Sequence, residues 1–415
     1  MLPRATTAPM TEPTRSRTGL VLSGGGARGA YEAGVLAHVF ECVLPRLGSQ
    51  NAFDVASGTS VGAVHATFTA ATSHLPGAER ARQLVAPWLA MEIDHVFRLR
   101  ARDLLGIPLR LLGYQKRRRP VAGTVGGLVD LAPLEALVER AVPWDALHEN
   151  LRAPRGQALC ISCTEVGSGR VTVFMEGPLS DTAPWRYDPN AFAIEAELSA
   201  RHVRASAAIP FLFPAVRIGD RHYVDGGLRM STPLSPALRL RADRILVVAL
   251  KHRPEPAAVK PFPDEVITQP AFLLGKVLDA LTLDQLEYEL QRIGLINAMI
   301  ERGTTVYGAD FSDRINVAVR EQRGVGFRVV RTLAIRPSED IGRLAAHCHR
   351  ETGGARTLGW LGEIVARAAS RGVPHDEADL LSYLYFDRRF TSQLVEMGRE
   401  DARRREDDIL SLLSS

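Results

Sequence analysis

Cysteine is scarce: Cys42, Cys160, Cys163 and Cys348 are the only four in 415 residues, too few for a disulfide framework. The pair in Cys160-Ile-Ser-Cys163 has a redox or zinc spacing. It lies, however, in an apolar run that reads as a strand, where positions three apart point to opposite faces. His347-Cys348-His349 has no second ligand pair nearby, and adjacent helical residues diverge. No metal and no cofactor is expected. Long hydrophobic runs are also missing. Nowhere do 18 apolar residues follow one another, so no membrane-spanning helix is expected. Residues 1–17, rich in Pro and Thr, lack the apolar stretch of a secretory signal and read as a disordered tail. The expected place is the cytoplasm, with peripheral membrane contact at most. Net charge is small, at +4, which excludes a polybasic nucleic-acid arm or an acidic tail. Lysine is nearly absent as well, and an arginine-based positive charge suits phosphate recognition.

What is present is the composition of an ordinary globular protein, 46% hydrophobic and 24% charged. Structure is predicted to begin at Gly19–Ser23, an apolar strand running into three glycines, followed by a helix carrying Tyr31, Val35, Leu36, Val39 and Phe40 at spacings of three and four. A second strand at Phe53–Ser57 leads through Gly58 into a small-residue helix over Val61–Ala71. Strand, glycine turn and helix in repetition signal a parallel α/β sheet. Further strands are expected at Ala158–Thr164 and Val171–Phe174 across a Gly167-Ser168-Gly169 turn, and at Ala215–Ile218 and Arg221–Val224 across Gly219-Asp220. Arg244–Leu250 is apolar on both faces, as a buried central strand should be. Beyond residue 253 the pattern becomes helical over 266–302, returns to a strand at Phe327–Ile335, and is helical again over 356–413.

Three short motifs carry chemistry. Gly24-Gly25-Gly26-Ala27-Arg28-Gly29 stands between a strand and a helix. Glycines let backbone amides approach an anion, and the helix adds its positive N-terminal end. By itself this fits a phosphate or dinucleotide cradle as well as an oxyanion hole. The dinucleotide spacing can be laid on Gly24, Gly26 and Gly29, but the second strand ends without an acidic residue, and no lysine follows as in a phosphate-binding loop. Gly58-Thr59-Ser60-Val61-Gly62 repeats the strand–turn–helix context, with a serine in a tight turn that leaves its hydroxyl exposed. Asp225-Gly226-Gly227 follows a strand, as many plain turns do.

Together these residues resemble the patatin-like phospholipase family, in GGGARG at 24–29, GTSVG at 58–62 and DGG at 225–227. Ala205-Ser206-Ala207-Ala208-Ile209-Pro210 is similar to the segment upstream of that family's catalytic aspartate. The resemblance covers roughly residues 18–252, and more loosely the chain to about 340. It implies an α/β fold: a three-layer α/β/α core on a mostly parallel central sheet, with a helical C-terminal portion. It implies a serine lipid acyl hydrolase acting on a lipid or other acyl ester. Ser60 would be the nucleophile and Asp225 its general base. The amides around Gly25, Gly26 and Ala27, within the loop Gly24–Gly29, would form the oxyanion hole, with Arg28 holding the loop. Gly58 and Gly62 would frame the nucleophile elbow. The expected organisation is a tail (1–17), a catalytic core (18–252), a helical continuation with a late strand (253–340) and a C-terminal helical extension (341–415).

Three rival readings accompany this one: an α/β-hydrolase esterase with a Ser-Asp-His triad completed by His252, a membrane-associated interaction protein without turnover, and a nucleotide-binding protein using GGGARG. His252 precedes a Pro-rich stretch and has no motif around it, while His65 and His222 read as packing or rim residues. Residues 98–120 interleave Leu and Ile with Arg and close on Lys116, Arg117, Arg118 and Arg119, the composition of a segment drawn to anionic lipid headgroups.

Overall fold

The computed structural model describes residues 16–92, 96, 124–125, 132–153, 156–210, 213–253, 286–352 and 379–414. Lys116–Arg119 and the first part of the helical run predicted over 266–302 lie outside these residues. Among the described residues one sheet of ten strands organises the fold: β1 (Arg17–Leu22), β2 (Val55–Thr59), β3 (Thr124–Val125), β4 (Ala158–Glu165), β5 (Val171–Glu176), β6 (Ala191–Glu195), β7 (Ala215–Ile218), β8 (Arg221–Asp225), β9 (Ala242–Val248) and β10 (Arg331–Ile335). The order is β10-β9-β1-β2-β4-β8-β7-β3, with β5 and β6 branching from β4. The central run from β10 to β4 is parallel throughout. The sheet is thus mostly parallel, as expected, and the expected hairpins β4–β5 and β7–β8 are both present.

Alternation along the strands sorts side chains between two cores. Leu20, Leu22, Leu246 and Val248 face one side, and Val21, Ile245 and Val247 face the other. Cys163 lies on the first side and Cys160 on the second, so the Cys-x-x-Cys spacing does not bring the two thiols together. The first side is covered by α1 (Gly29–His38), α2 (Val61–Ala71), α3 (Gly77–Leu89), α4 (Ala132–Ala141), α5 (Trp144–Arg152) and α6 (Ala200–Ser206). The second is covered by α7 (Leu234–Arg239) and α8 (Leu286–Tyr307), with α9 (Phe311–Arg323) against α8. This is the three-layer α/β/α arrangement.

The C-terminal helices α10 (Ile341–Thr352), α11 (Asp379–Leu384), α12 (Arg388–Arg404) and α13 (Glu406–Ser414) return to the first side. All ten residues of α1 are buried, because α12 closes over the face that the sheet leaves bare. Polar bonds fix that closure: Tyr31 Oη donates to Asp401 Oδ2 at 3.1 Å, His38 Nε2 pairs with Glu406 at 2.8 Å, and Arg399 pairs with Glu41 at 2.5 Å.

β3 and β6 are additional to the strands expected from the sequence, and several expected strands shift their bounds; β9, for one, runs two residues earlier than Arg244–Leu250. β2 runs on through Gly58 and Thr59, which the glycine alone would place in a turn. β10 rejoins the sheet beside β9, but begins at Arg331 rather than Phe327. The amides of Phe327 and Val330 are taken by the side chains of Asn316 (2.6 Å) and Asn297 (2.9 Å) instead of a neighbouring strand.

Candidate active site

Ser60 follows β2 directly and adopts φ 55° and ψ −122°, a conformation costing an L-residue about 1–3 kcal/mol. The turn has no room for side chains beside it. A Cβ on Gly58 would fall 2.1 Å from the Gly62 carbonyl oxygen, and one on Gly62 would fall 2.3 Å from that of Leu22. The two glycines are therefore the condition for the sharp turn. Its strain is held by two bonds in series. Ser60 N–H donates to Ser206 Oγ at 2.9 Å, and the Ser206 hydroxyl donates to the Ser162 carbonyl at 2.6 Å. Ser60 Oγ does not cap α2, which leaves it free for another partner.

That partner is set by the register on β4. β5 pairs along one edge of β4, so β2 and β8 share the other. Thr59 lies opposite Ser162 and Asp225 opposite Cys163, so the two strands end against consecutive residues of β4. The residues that follow come together: the Ser60 side chain stands close enough to the Asp225 carboxyl to draw it down as a donor would, and the same carboxylate accepts the Gly227 N–H at 2.6 Å. Burial pushes the Asp225 carboxyl up to about 6 against the pull of these two neighbours. Its main chain is fixed too, with its N–H on the Ala208 carbonyl (2.9 Å) and its carbonyl accepting Thr164 Oγ1–H (2.9 Å).

The glycine loop from β1 to α1 stands beside Ser60, with the Cβ position of Gly24 3.2 Å from Ser60 Cβ. Its six amides divide by task. Gly24 N–H donates to Ser231 O (2.9 Å), Arg28 N–H to Gly25 O (3.1 Å), and Gly29 N–H to the carbonyls of Gly26 and Ala27. Among the described residues no backbone hydrogen bond takes up the amides of Gly25, Gly26 and Ala27. The residues after Asp225 strap the loop to the elbow: Thr59 Oγ1 donates to Met230 O (2.8 Å), Ser57 Oγ to Pro233 O (3.0 Å), and Ser23 Oγ pairs with Thr232 Oγ1 (2.7 Å). Arg28 is buried and reaches α11, where its Nε–H donates to Ser382 Oγ at 2.7 Å.

The histidines stand apart from Asp225. His65 is buried in α2 and pulled down to about 3 by burial, hence neutral. Its Nε2 accepts the Trp88 indole N–H (3.2 Å), so its Nδ1–H donates to Glu32 (2.9 Å), whose carboxyl burial pushes far up. This buried pair ties α1 to α2 and confirms a packing role for His65. His222 is half-buried within β8. His252 Nδ1 donates to the Pro337 carbonyl at 2.9 Å, and among the described residues no histidine is bonded to the Asp225 carboxylate. Sequence reasoning did not assign roles to Ser206, Ser382 or Tyr383. Ser206 lies within the motif Ala205–Pro210. Ser382 and Tyr383 carry no local signal, since Ser382 meets its partner across 354 residues.

The arrangement provides a hydroxyl, a hydrogen-bonded buried carboxylate and three amides without backbone partners. Among the described residues, no group of three or more His, Cys, Asp or Glu side chains is placed to hold a metal, and no helix is long and apolar enough to cross a membrane. The family model for patatin-like phospholipase matches residues 20–238, more than half of the 415-residue chain. Among solved structures, VipD from Legionella pneumophila is 13% identical, over 89% of this chain and 67% of that one, with a TM-score of 0.33. The ExoU–SpcU complex from the type III secretion system of Pseudomonas aeruginosa is 16% identical, over 95% of this chain and 77% of that one, with a TM-score of 0.28. No curated protein matches the chain.

Proposed function

The chain belongs to the patatin-like phospholipase family, and from that premise, which makes it a lipid hydrolase, we propose that it cleaves the carboxylic ester of a lipid through a Ser60–Asp225 dyad. Ser60 Oγ attacks the ester carbonyl carbon as its proton passes to the Asp225 carboxylate. The carbonyl oxygen becomes an oxyanion, which the amides of Gly25, Gly26 and Ala27 receive. Collapse breaks the bond to the alkoxyl oxygen, which leaves as the alcohol with the proton from Asp225. Water then attacks the acyl-Ser60 ester with Asp225 again as base, and collapse breaks the bond to Ser60 Oγ, which takes the proton back from Asp225 as the fatty acid is released.

The observation that carries this reading is the placement of the Ser60 side chain beside a buried Asp225 carboxylate, by two strands that end against consecutive residues of β4. A hydroxyl becomes a nucleophile when a base is within hydrogen-bond reach and correctly oriented, and Gly227 N–H orients this one. A base raised toward neutrality is also better matched to take a proton than an ordinary carboxylate. Each oxyanion donor contributes about 2.7–4 kcal/mol to such reactions, which is why three uncommitted amides beside the serine matter.

The test is hydrolysis of p-nitrophenyl acyl esters and of mixed lipid vesicles by the wild type, Ser60→Ala, Asp225→Asn and His252→Ala, without added metal. Loss of turnover in the first two by about 10²–10⁴-fold, with His252→Ala fully active, is the expected result. A dead His252→Ala would favour a triad instead, and wild type inert on every ester and lipid would end the hydrolase proposal.

A further inference from the structure

Arg28 brings a cation into the glycine loop, yet its side chain turns toward the C-terminal part of the chain. Its Nε–H donates to Ser382 Oγ at 2.7 Å, and its guanidinium lies 4.1 Å from the centroid of the Tyr383 ring. The Tyr383 carbonyl also fills the space beside Gly26: a Cβ there would fall 2.2 Å from that oxygen, and Gly26 has φ 56°. Two consecutive residues of α11 thus touch the loop at two points. Between those points the loop is closed on itself by Arg28 N–H on the Gly25 carbonyl. Gly25 to Arg28 is therefore one turn whose peptide planes tilt together when Arg28 moves. The three uncommitted amides belong to this turn.

We propose that Ser382 and Tyr383 are positioning residues for the reaction, setting the aim of the Gly25, Gly26 and Ala27 amides through Arg28. This rests on the reading of those amides as the oxyanion hole. Oxyanion donors stabilise developing charge only when already aimed at it. A loop of three glycines supplies little stiffness of its own, because glycine has the widest conformational freedom. A guanidinium both stacked on an aromatic ring and hydrogen-bonded to a hydroxyl is a stiff anchor for such a loop. Residues 382 and 383 lie beyond the family match at 20–238, so the match itself does not contain this support.

The experiment compares full-length Tyr383→Leu, Tyr383→Phe and Ser382→Ala with wild type on a soluble p-nitrophenyl ester. Turnover is expressed per active site, counted by a phosphonate allowed to label Ser60 to completion. Tyr383→Leu is expected to lower kcat per site by about 10–100-fold with KM little changed, the effect of a small misalignment. Tyr383→Phe keeps the ring and should keep kcat per site. Ser382→Ala should lower it by less than Tyr383→Leu, and decides the matter if Tyr383→Leu is not soluble. In an Arg28→Met background, Tyr383→Leu should cause no further loss, because the two act through one contact. Unchanged kcat per site, with only fewer sites labelled, would make the contact structural and overturn the inference. Failure of the underlying reading shows separately, as turnover retained by Ser60→Ala, and takes the inference with it.

Discussion

A carboxylate serves as a base only while ionised, and Asp225 is held near the edge of that condition. Burial raises it from an ordinary 3.8 to about 6. Turnover of a neutral ester should therefore fall about tenfold for each pH unit below 6, and Ser60 labelling by a phosphonate should follow the same curve. A profile flat down to pH 4.5 would remove Asp225 from the base role. The same shift acts on stability with a definite sign. Below pH 3.8 Asp225 is protonated in both folded and unfolded chains and costs nothing. As pH rises from 3.8 to 6 the unfolded chain loses its proton first, so the folded state is penalised. Above pH 6 the penalty is complete, about 3 kcal/mol at 1.36 kcal/mol per tenfold change in proton affinity. Asp225→Asn should thus be more stable than wild type in urea at pH 8 and gain little at pH 4, while losing turnover. Equal midpoints at pH 8 would show that the buried charge is offset elsewhere.

At the scale of elements, much of the fold was legible because it is written locally. Gly19–Ser23, Ala158–Thr164 and Arg244–Leu250 are apolar runs bounded by turn residues, and the strands observed there overlap them closely. The elbow at Ser60 was legible because Gly58 is required by a contact four residues on. The need for glycine at Gly62 comes instead from the Leu22 carbonyl of β1, so there only the motif, not its cause, was visible. Neighbourhood between distant elements was not. Nothing in Arg221–Val224 announces that β8 enters the edge of β4 just past the end of β2, the register that joins Asp225 to Ser60. The seat of α12 was likewise hidden, because it depends on Gly398, an ordinary glycine in a charged helix. A Cβ there would fall 2.2 Å from the Tyr31 carbonyl and 3.0 Å from Val35 N, backbone that cannot yield cheaply. Gly398→Ala should lower the urea midpoint by an amount equivalent to about 1–3 kcal/mol, the usual cost of overpacking, although alanine favours helix. A stabilised variant would mean that α12 is loosely seated on α1.

For the whole molecule, the family match from 20 to 238 does not enclose a complete core. β9, which pairs with β1 at the centre of the sheet, begins at Ala242, and the cover of α1 comes from beyond residue 379. We propose that the C-terminal helices expected as an extension (341–415) belong to the folding unit. Phe390, Leu394, Val395, Ile409 and Leu412 are buried against the first side. Five such side chains at about 1.5–3 kcal/mol each amount to roughly the 5–15 kcal/mol by which a whole domain is stable. A chain ending at Thr352 should therefore fail to fold alone, giving insoluble protein or a soluble form without a cooperative melt. It should also lack esterase turnover, since Arg28 and Gly26 lose α11. Supplying residues 379–415 as a separate peptide should restore both the melt and the turnover in proportion to its occupancy. A soluble, cooperatively melting and active 1–352 chain would instead make the C-terminal helices an appendage on an independent core.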